Sequence, residues 1–219
     1  MGWIVSRKHD FIFIHIPKTA GSSIGDPNYK RIRKGSLVRH LGPEDEAHQG
    51  HITARELRAT LAESMDKFFT FCFVRNPWDR AVSSYSYFRY EGMRLYSRIP
   101  GTQDYYRRIS ILGGQINSCK DFKEFCDRMH EFTLDLHFEH QSRYTTGEDG
   151  ENLMDFVGRF ETIGDDYGAI CDRIGIPRQT LPHFRKTKRD AYRSYYNERS
   201  RAIIGKWYEQ DIELFKYQF

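Results

Sequence analysis

Two runs of this chain are too apolar to be anything but buried strands, and each empties at once into a polar turn. The first is Phe11-Ile-Phe-Ile-His-Ile16, followed by Pro17-Lys-Thr-Ala-Gly-Ser-Ser23; the second is Phe68-Phe-Thr-Phe-Cys-Phe-Val74, followed by Arg75-Asn-Pro-Trp-Asp79. A strand with one wet face alternates apolar and polar residues, whereas near-continuous apolar runs belong to strands covered on both faces, as in a parallel sheet clothed by helices. The expected fold class is therefore α/β, and 219 residues suit a single domain over 1–219.

The turn after the first strand carries a lysine, a glycine and two serines where a short helix can begin. Backbone N–H groups presented in that way, with a lysine beside them, hold an anion and typically a phosphate. His15 reads as a structural histidine near the strand end. Arg75 stands at the carboxyl end of the second strand, the edge at which open α/β sheets bind ligands. Asn76 is placed as an N-cap, Pro77 as the first helical residue and Asp79 near the positive end of the dipole. Trp78, Ala81, Val82, Tyr85 and Phe88 form an apolar stripe along that helix and leave Ser83, Ser84, Ser86 and Arg89 off its centre.

Between these strands, Leu37-Val38 suggests a short strand, and Thr53-Ala-Arg-Glu56 is a capping box opening a helix with Leu57 and Leu61 on its apolar face. His51 lies on the loop just before that cap. Downstream, Gly92–Ser118 reads as a long loop rich in Tyr and Arg, the kind of segment that serves as a lid. Asp121–Met129 reads as a short helix, Phe156–Phe160 as a third strand, and Asp165 as the cap of a helix ending near Gly175. Pro177–Asp190 is an irregular basic loop with Arg185, Lys186, Thr187 and Lys188. A last helix begins near Glu198 and is buried through Ile204, Tyr208, Ile212 and Phe215.

A net charge of +4 favours anionic ligands but falls far short of the basic stripe of a dedicated nucleic-acid binder, so no nucleic acid is expected as partner. Cys72, Cys119, Cys126 and Cys171 form no CxxC pair and lie in core patterns, which favours reduced thiols and a reducing compartment. No run is apolar over a membrane-spanning length, and the amino-terminal residues match a myristoylation pattern only loosely. The expectation is a soluble cytoplasmic protein without a membrane partner. Oligomeric state is not indicated.

The chemistry follows from what the first turn lacks. A Walker A loop places its lysine directly before the helix-opening hydroxyl. Here Gly21 occupies that position, Lys18 comes three residues earlier, and the upstream glycine is missing. The second strand ends in Arg75 rather than in the acidic residue that would hold magnesium for phosphoryl transfer. Arg75 with the serines behind it offers a second anion site, and Arg185, Lys186 and Lys188 add positive charge. Two phosphate-binding centres and no metal site suit a nucleotide with phosphates at both ends of its ribose.

At these residues the chain resembles a known family. His15-Ile-Pro-Lys-Thr-Ala-Gly-Ser-Ser23 is similar to the 5′-phosphosulfate loop of the sulfotransferases that use 3′-phosphoadenosine 5′-phosphosulfate (PAPS), and Phe73-Val-Arg-Asn-Pro-Trp-Asp-Arg-Ala-Val-Ser83 to their 3′-phosphate motif. The resemblance is to the group containing the carbohydrate sulfotransferases and heparan sulfate 2-O-sulfotransferase. It extends through Gly50-His-Ile52, the Gln141 region, Val157-Gly-Arg-Phe-Glu161, Leu181-Pro-His183 and the carboxyl-terminal stretch from Tyr208 to Phe219.

The resemblance implies a P-loop NTPase-like fold, a central parallel sheet flanked by helices. It also implies in-line transfer of a sulfuryl group from PAPS to an acceptor hydroxyl, most readily on a carbohydrate, leaving adenosine 3′,5′-bisphosphate. Lys18 would neutralise the leaving phosphate, while N–H groups of Thr19, Ala20, Gly21, Ser22 and Ser23 hold it. Arg75 and Ser83 match the 3′-phosphate ligands, and Arg185 and Thr187 match a late loop closing over the nucleotide. His51 matches the general base, for which an imidazole is suited. No metal is implied. The heparan sulfate enzyme has a second histidine two residues before its base. This chain has Gln49 there and His48 displaced by one, which leaves His51 alone in that role. Unlike the membrane-anchored animal Golgi members, the chain is expected to be a soluble, bacterial type of relative. Two other readings stay open at this stage: a metal-dependent nucleotide kinase, and a non-catalytic anion- or RNA-binding module using the Tyr/Arg segment.

Overall fold

The computed structural model describes residues 2–25, 37–48, 50–91, 103–132, 135–181 and 189–219. Its strands are β1 (Ile4–Ser6), β2 (Phe11–Ile14), β3 (Glu46–Ala47), β4 (Phe69–Val74) and β5 (Phe156–Arg159). Its helices are α1 (Gly21–Gly25), α2 (Ala54–Leu61), α3 (Pro77–Ser86), α4 (Gln103–Asn117), α5 (Phe122–Asp127), α6 (Ile163–Arg173), α7 (Glu198–Trp207) and α8 (Glu209–Phe215). Contacts group these elements into two compact units, Met1–Arg75 with His140–Lys186, and Asn76–Glu139 with Thr187–Phe219.

The first unit is built on the sheet, ordered β3-β1-β2-β4-β5. The two strands read from the sequence, β2 and β4, lie side by side and parallel, with Phe13 opposite Phe71, and β5 continues parallel to β4 with Gly158 opposite Phe73. The expected all-parallel sheet is corrected at one edge, where β1 and β3 run antiparallel and pair Val5 with Ile12 and with Glu46. Ile4-Val5-Ser6 is too short to announce itself as a strand. Its turn back into β2 is held by Asp45, whose carboxylate accepts from the N–H groups of Arg7 (2.6 Å), Lys8 (3.0 Å) and Gly42 (2.7 Å) and from the Ser6 hydroxyl (3.0 Å).

Residues of β2 alternate sides, yet all are buried. Phe11, Phe13, Phe71 and Phe73 gather with Tyr167, Ile170 and Cys171 of α6 into one core, while Ile12, Ile14 and Cys72 are equally inaccessible. This is the two-sided burial the continuous apolar runs demand. Gly158 is dictated by the same core: a Cβ there would lie 2.6 Å from the Phe73 ring. The expected strand at Leu37-Val38 is instead a single 3-10 turn, Leu37–Arg39, with Leu37 turned into the core. The capping box is present at α2, where Thr53 and Glu56 satisfy each other's backbone N–H. At α6 the expected cap Asp165 lies instead in the first turn: Thr162 holds the N-cap position without a side-chain capping bond, and the Asp166 carboxylate accepts from Arg159 N–H (2.6 Å) and the Thr162 hydroxyl (2.9 Å).

The second unit is helical. Asn76 caps α3 by accepting from the N–H groups of Trp78 (3.1 Å) and Asp79 (3.5 Å), with Pro77 at the start, as read. Ser83, Ser84 and Ser86, off the centre of the apolar stripe, are buried along with it, and so is Arg80. Small hydroxyls can sit in a close interface, and Arg80 donates from Nη1 to the Glu139 carbonyl at 2.7 Å. The long loop expected over Gly92–Ser118 gives way to α4, because Ile109, Leu112 and Ile116 form a buried stripe that the Tyr, Arg and Gly residues obscure in the sequence. The terminal helix divides into α7 and α8 at Tyr208. Phe122, Phe125, Phe132, Phe138 and Tyr85 form an aromatic core with ring centroids 5.2–6.2 Å apart.

The four cysteines are free and buried, and burial pushes the thiols of Cys72 and Cys126 well up from their ordinary range. Among the described residues no helix is long and apolar enough to cross a membrane.

Candidate active site

The carboxyl ends of β2 and β4 lie on one edge because the strands are parallel and in register to Ile14 opposite Cys72. Beyond β2 the chain does not enter a helix directly. Lys18 (φ 69°) and Ala20 (φ 67°) take left-handed backbone conformations, uncommon for residues with a Cβ. Alternation of this kind turns successive N–H groups toward one side, the geometry of an anion-binding nest. The loop is closed internally: the Thr19 hydroxyl donates to Ile16 O (2.8 Å), and Ser23 N–H donates to Ala20 O (2.8 Å). Thr19 and Ser23 are buried, Lys18, Ala20 and Ser22 half-buried. Gly21 has a different reason. A Cβ there would lie 1.7 Å from Cδ2 of His15, so the imidazole occupies the space a side chain would need.

His15 is thus part of the loop's support, as its reading as a structural histidine anticipates, and it has a second task. His51 Nδ1 is 2.8 Å from the His15 carbonyl oxygen. A carbonyl only accepts, so Nδ1 carries the proton, and the lone pair of neutral His51 is on Nε2. The two rings stand 4.7 Å apart, tilted by 39°. The ring beside His51 is thus that of His15. His48 is engaged elsewhere: it stacks on Trp3 with ring centroids 3.8 Å apart and bonds Glu46 through Nε2 at 3.0 Å.

Arg75 reaches the same loop from β4. Its Nη1 donates to the Lys18 carbonyl at 3.1 Å, its guanidinium lies over the Phe160 ring at 3.9 Å from the centroid, and it is 7% exposed. Its backbone is bonded twice by Gln141, which accepts from Arg75 N–H at 2.8 Å and donates to Arg75 O at 2.9 Å. The structure therefore brings together Lys18, Thr19, Ala20, Gly21, Ser22, Ser23, His51 and Arg75 in the first unit. Ser83 belongs to the second unit, where it lies buried on α3. Arg185, Lys186 and Thr187 lie outside the described residues, as do Gln49 and residues 92–102 of the Tyr/Arg stretch.

Sequence reasoning missed Phe160 and saw Gln141 only as a neighbourhood. A phenylalanine directly after a strand gives no sign that it will support a cation, and Gln141 is 66 residues from the backbone it bonds. The donor set is an ammonium, a guanidinium, hydroxyls and loop N–H groups. Such a set fits a ligand with several negative charges.

The fold thus sets a lysine-bearing loop and a buried arginine at the carboxyl edge of a mixed sheet. The comparison with known families is more specific. The sulfotransferase family model matches residues 1–218, and the chain belongs to that family. Human carbohydrate sulfotransferase 9 is 24% identical over 97% of this chain and 52% of its own length. Zebrafish (Danio rerio) carbohydrate sulfotransferase 14 is 25% identical over 80% of this chain and 48% of its own. An uncharacterized protein of Archaeoglobus fulgidus is 23% identical over 58% of this chain and 85% of its own. The chain spans about half the length of these two carbohydrate sulfotransferases. No solved structure matches.

Proposed function

We propose that this sulfotransferase takes its sulfuryl group from PAPS and delivers it to a carbohydrate hydroxyl. The observation that carries the proposal is the convergence on one loop. His51 bonds its first residue at His15 O, and Arg75 bonds its middle at Lys18 O. The names of the carbohydrate sulfotransferases it resembles support the acceptor class.

In this reading the nucleotide supplies an activated sulfuryl group and departs as adenosine 3′,5′-bisphosphate. His51 Nε2 takes the proton of the acceptor hydroxyl as its oxygen attacks sulfur, and the bond to His15 O holds the ring in the tautomer that can do so. Lys18 neutralises the negative charge that grows on the leaving phosphate, with the N–H groups of Thr19 to Ser22 as further donors, that of Ser23 being bonded to Ala20 O. Arg75 receives the second phosphate of the ribose, the group that separates this donor from ATP. Ser83, Arg185 and Thr187 keep the donor-binding roles that the resemblance gives them, and Lys186 adds positive charge for the donor. No step in the proposal uses a metal.

Incubation with 35S-labelled PAPS, a chelator and a panel of glycans bearing free hydroxyls tests the reading. Label is expected on sugar, with release of the bisphosphate in equal amount. Transfer of phosphate from magnesium ATP to the same glycans, with no movement of sulfur label, would overturn it in favour of a kinase.

A further inference from the structure

We infer that Gln141 is a positioning residue: by bonding both polar groups of the Arg75 backbone it fixes where the Arg75 guanidinium stands. It thereby sets the preference for a nucleotide with a phosphate on its 3′ carbon. The second half of this inference rests on the donor reading above; the first half does not.

The parallel ladder between β4 and β5 ends at Val74 opposite Arg159, because the chain after Arg159 winds into the 3-10 turn Phe160–Thr162. Arg75 is the first residue of that edge with no strand beside it, yet it is 7% exposed, so its N–H and C=O need partners away from water. Gln141, 0% exposed, provides both. A carboxamide carries the donor and acceptor of a peptide group, and here it stands in for one more residue of a neighbouring strand. Glutamate offers acceptors and no donor, asparagine is a methylene shorter, and methionine matches the length with neither function.

With the backbone pinned, contacts of the side chain itself help to direct the guanidinium. Phe160 supports the face of the guanidinium at 3.9 Å, and Lys18 O accepts from Nη1 at 3.1 Å. The same hydrogen bond ties the position of Arg75 to the left-handed residue of the phosphate loop, so a shift of β4's end is felt at Lys18.

Gln141→Met and the second variant Gln141→Glu test this with two readouts. In the ligand-free protein, amide exchange at Arg75 should quicken by about tenfold or more in Gln141→Met, while Val74, held within β4, keeps its protection. In Gln141→Glu a carboxylate oxygen still accepts from the Arg75 N–H, and exchange should change less. With ligand, the ratio of affinities for adenosine 3′,5′-bisphosphate and 5′-AMP should fall by about tenfold. In turnover, KM for the donor should rise with kcat nearly unchanged, because a ground-state grip is lost. Unchanged exchange at Arg75 in Gln141→Met, or an unchanged ratio in either folded variant, would overturn the inference. A wild-type protein with no preference for the bisphosphate over 5′-AMP would contradict the donor reading instead, and the exchange result would still decide whether Gln141 holds Arg75.

Discussion

The exits of β2 and β4 solve the same problem, presenting positive charge at a sheet edge, by opposite means. The β2 exit is held from within. His15 lies against Gly21, the Thr19 hydroxyl closes on Ile16 O, and the chain takes left-handed turns at Lys18 and Ala20. At the β4 exit the support is remote: Arg75 rests on Gln141, Phe160 and the Lys18 carbonyl. A self-contained loop can place several N–H groups and a lysine with little tolerance for change. A single arginine on borrowed supports provides grip and selectivity. In the proposed function the chemical step falls to the β2 exit and discrimination of the donor to the β4 exit.

The largest expected effect falls on the β2 side. His51→Ala should lower kcat by about 10²–10⁴-fold, the range of a lost general base, with nucleotide affinity retained. Lys18→Ala should follow with a loss of about 10²–10³-fold in kcat and, unlike His51→Ala, weakened binding of adenosine 3′,5′-bisphosphate by titration. A Lys18→Ala protein with intact kcat and only a raised KM would erase the distinction between the two exits.

Gly21→Ala probes the loop's self-support. Its Cβ must displace the His15 ring, and overpacking of this kind costs about 1–3 kcal/mol, seen as a fall of several degrees in Tm. The smallest effect lies at the other end of β2. Burial alone would raise the Asp45 carboxyl, but bonds from Gly42 and Lys8 N–H, the Ser6 hydroxyl and Arg7 N–H outweigh it and hold the group below its usual range. A carboxylate with a depressed folded pKa contributes stability that is present above the ordinary value, about 3.9, and is lost as pH falls through the folded value. Acid unfolding below about pH 4 should therefore be shallower in Asp45→Asn, with activity near neutral pH little changed.

Much of the first exit was legible in the sequence because its causes are local. Continuous apolar runs mark β2 and β4, and the caps at Thr53 and Asn76 use side chains within three residues of the N–H groups they satisfy. The family motifs at 15–23 and 73–83 are local too. What escaped depends on distance or on disguise. Gln141 and Phe160 matter only once the fold has brought them to Arg75, and His15 looked purely structural because its carbonyl, not its ring, bonds His51. The helix α4 was hidden by the glycines and tyrosines around a three-residue apolar stripe, and the burial of α3's serines follows from packing that no periodicity reveals.

In the proposed function the lysine loop and Arg75 together hold a nucleotide with phosphates on both ends of its ribose. Calorimetric titration of the wild-type protein with adenosine 3′,5′-bisphosphate and with ADP, in chelator, tests it most directly. The bisphosphate is expected to bind at least about tenfold more tightly, a difference of about 1.4 kcal/mol. Equal, weak binding of the two nucleotides would contradict it.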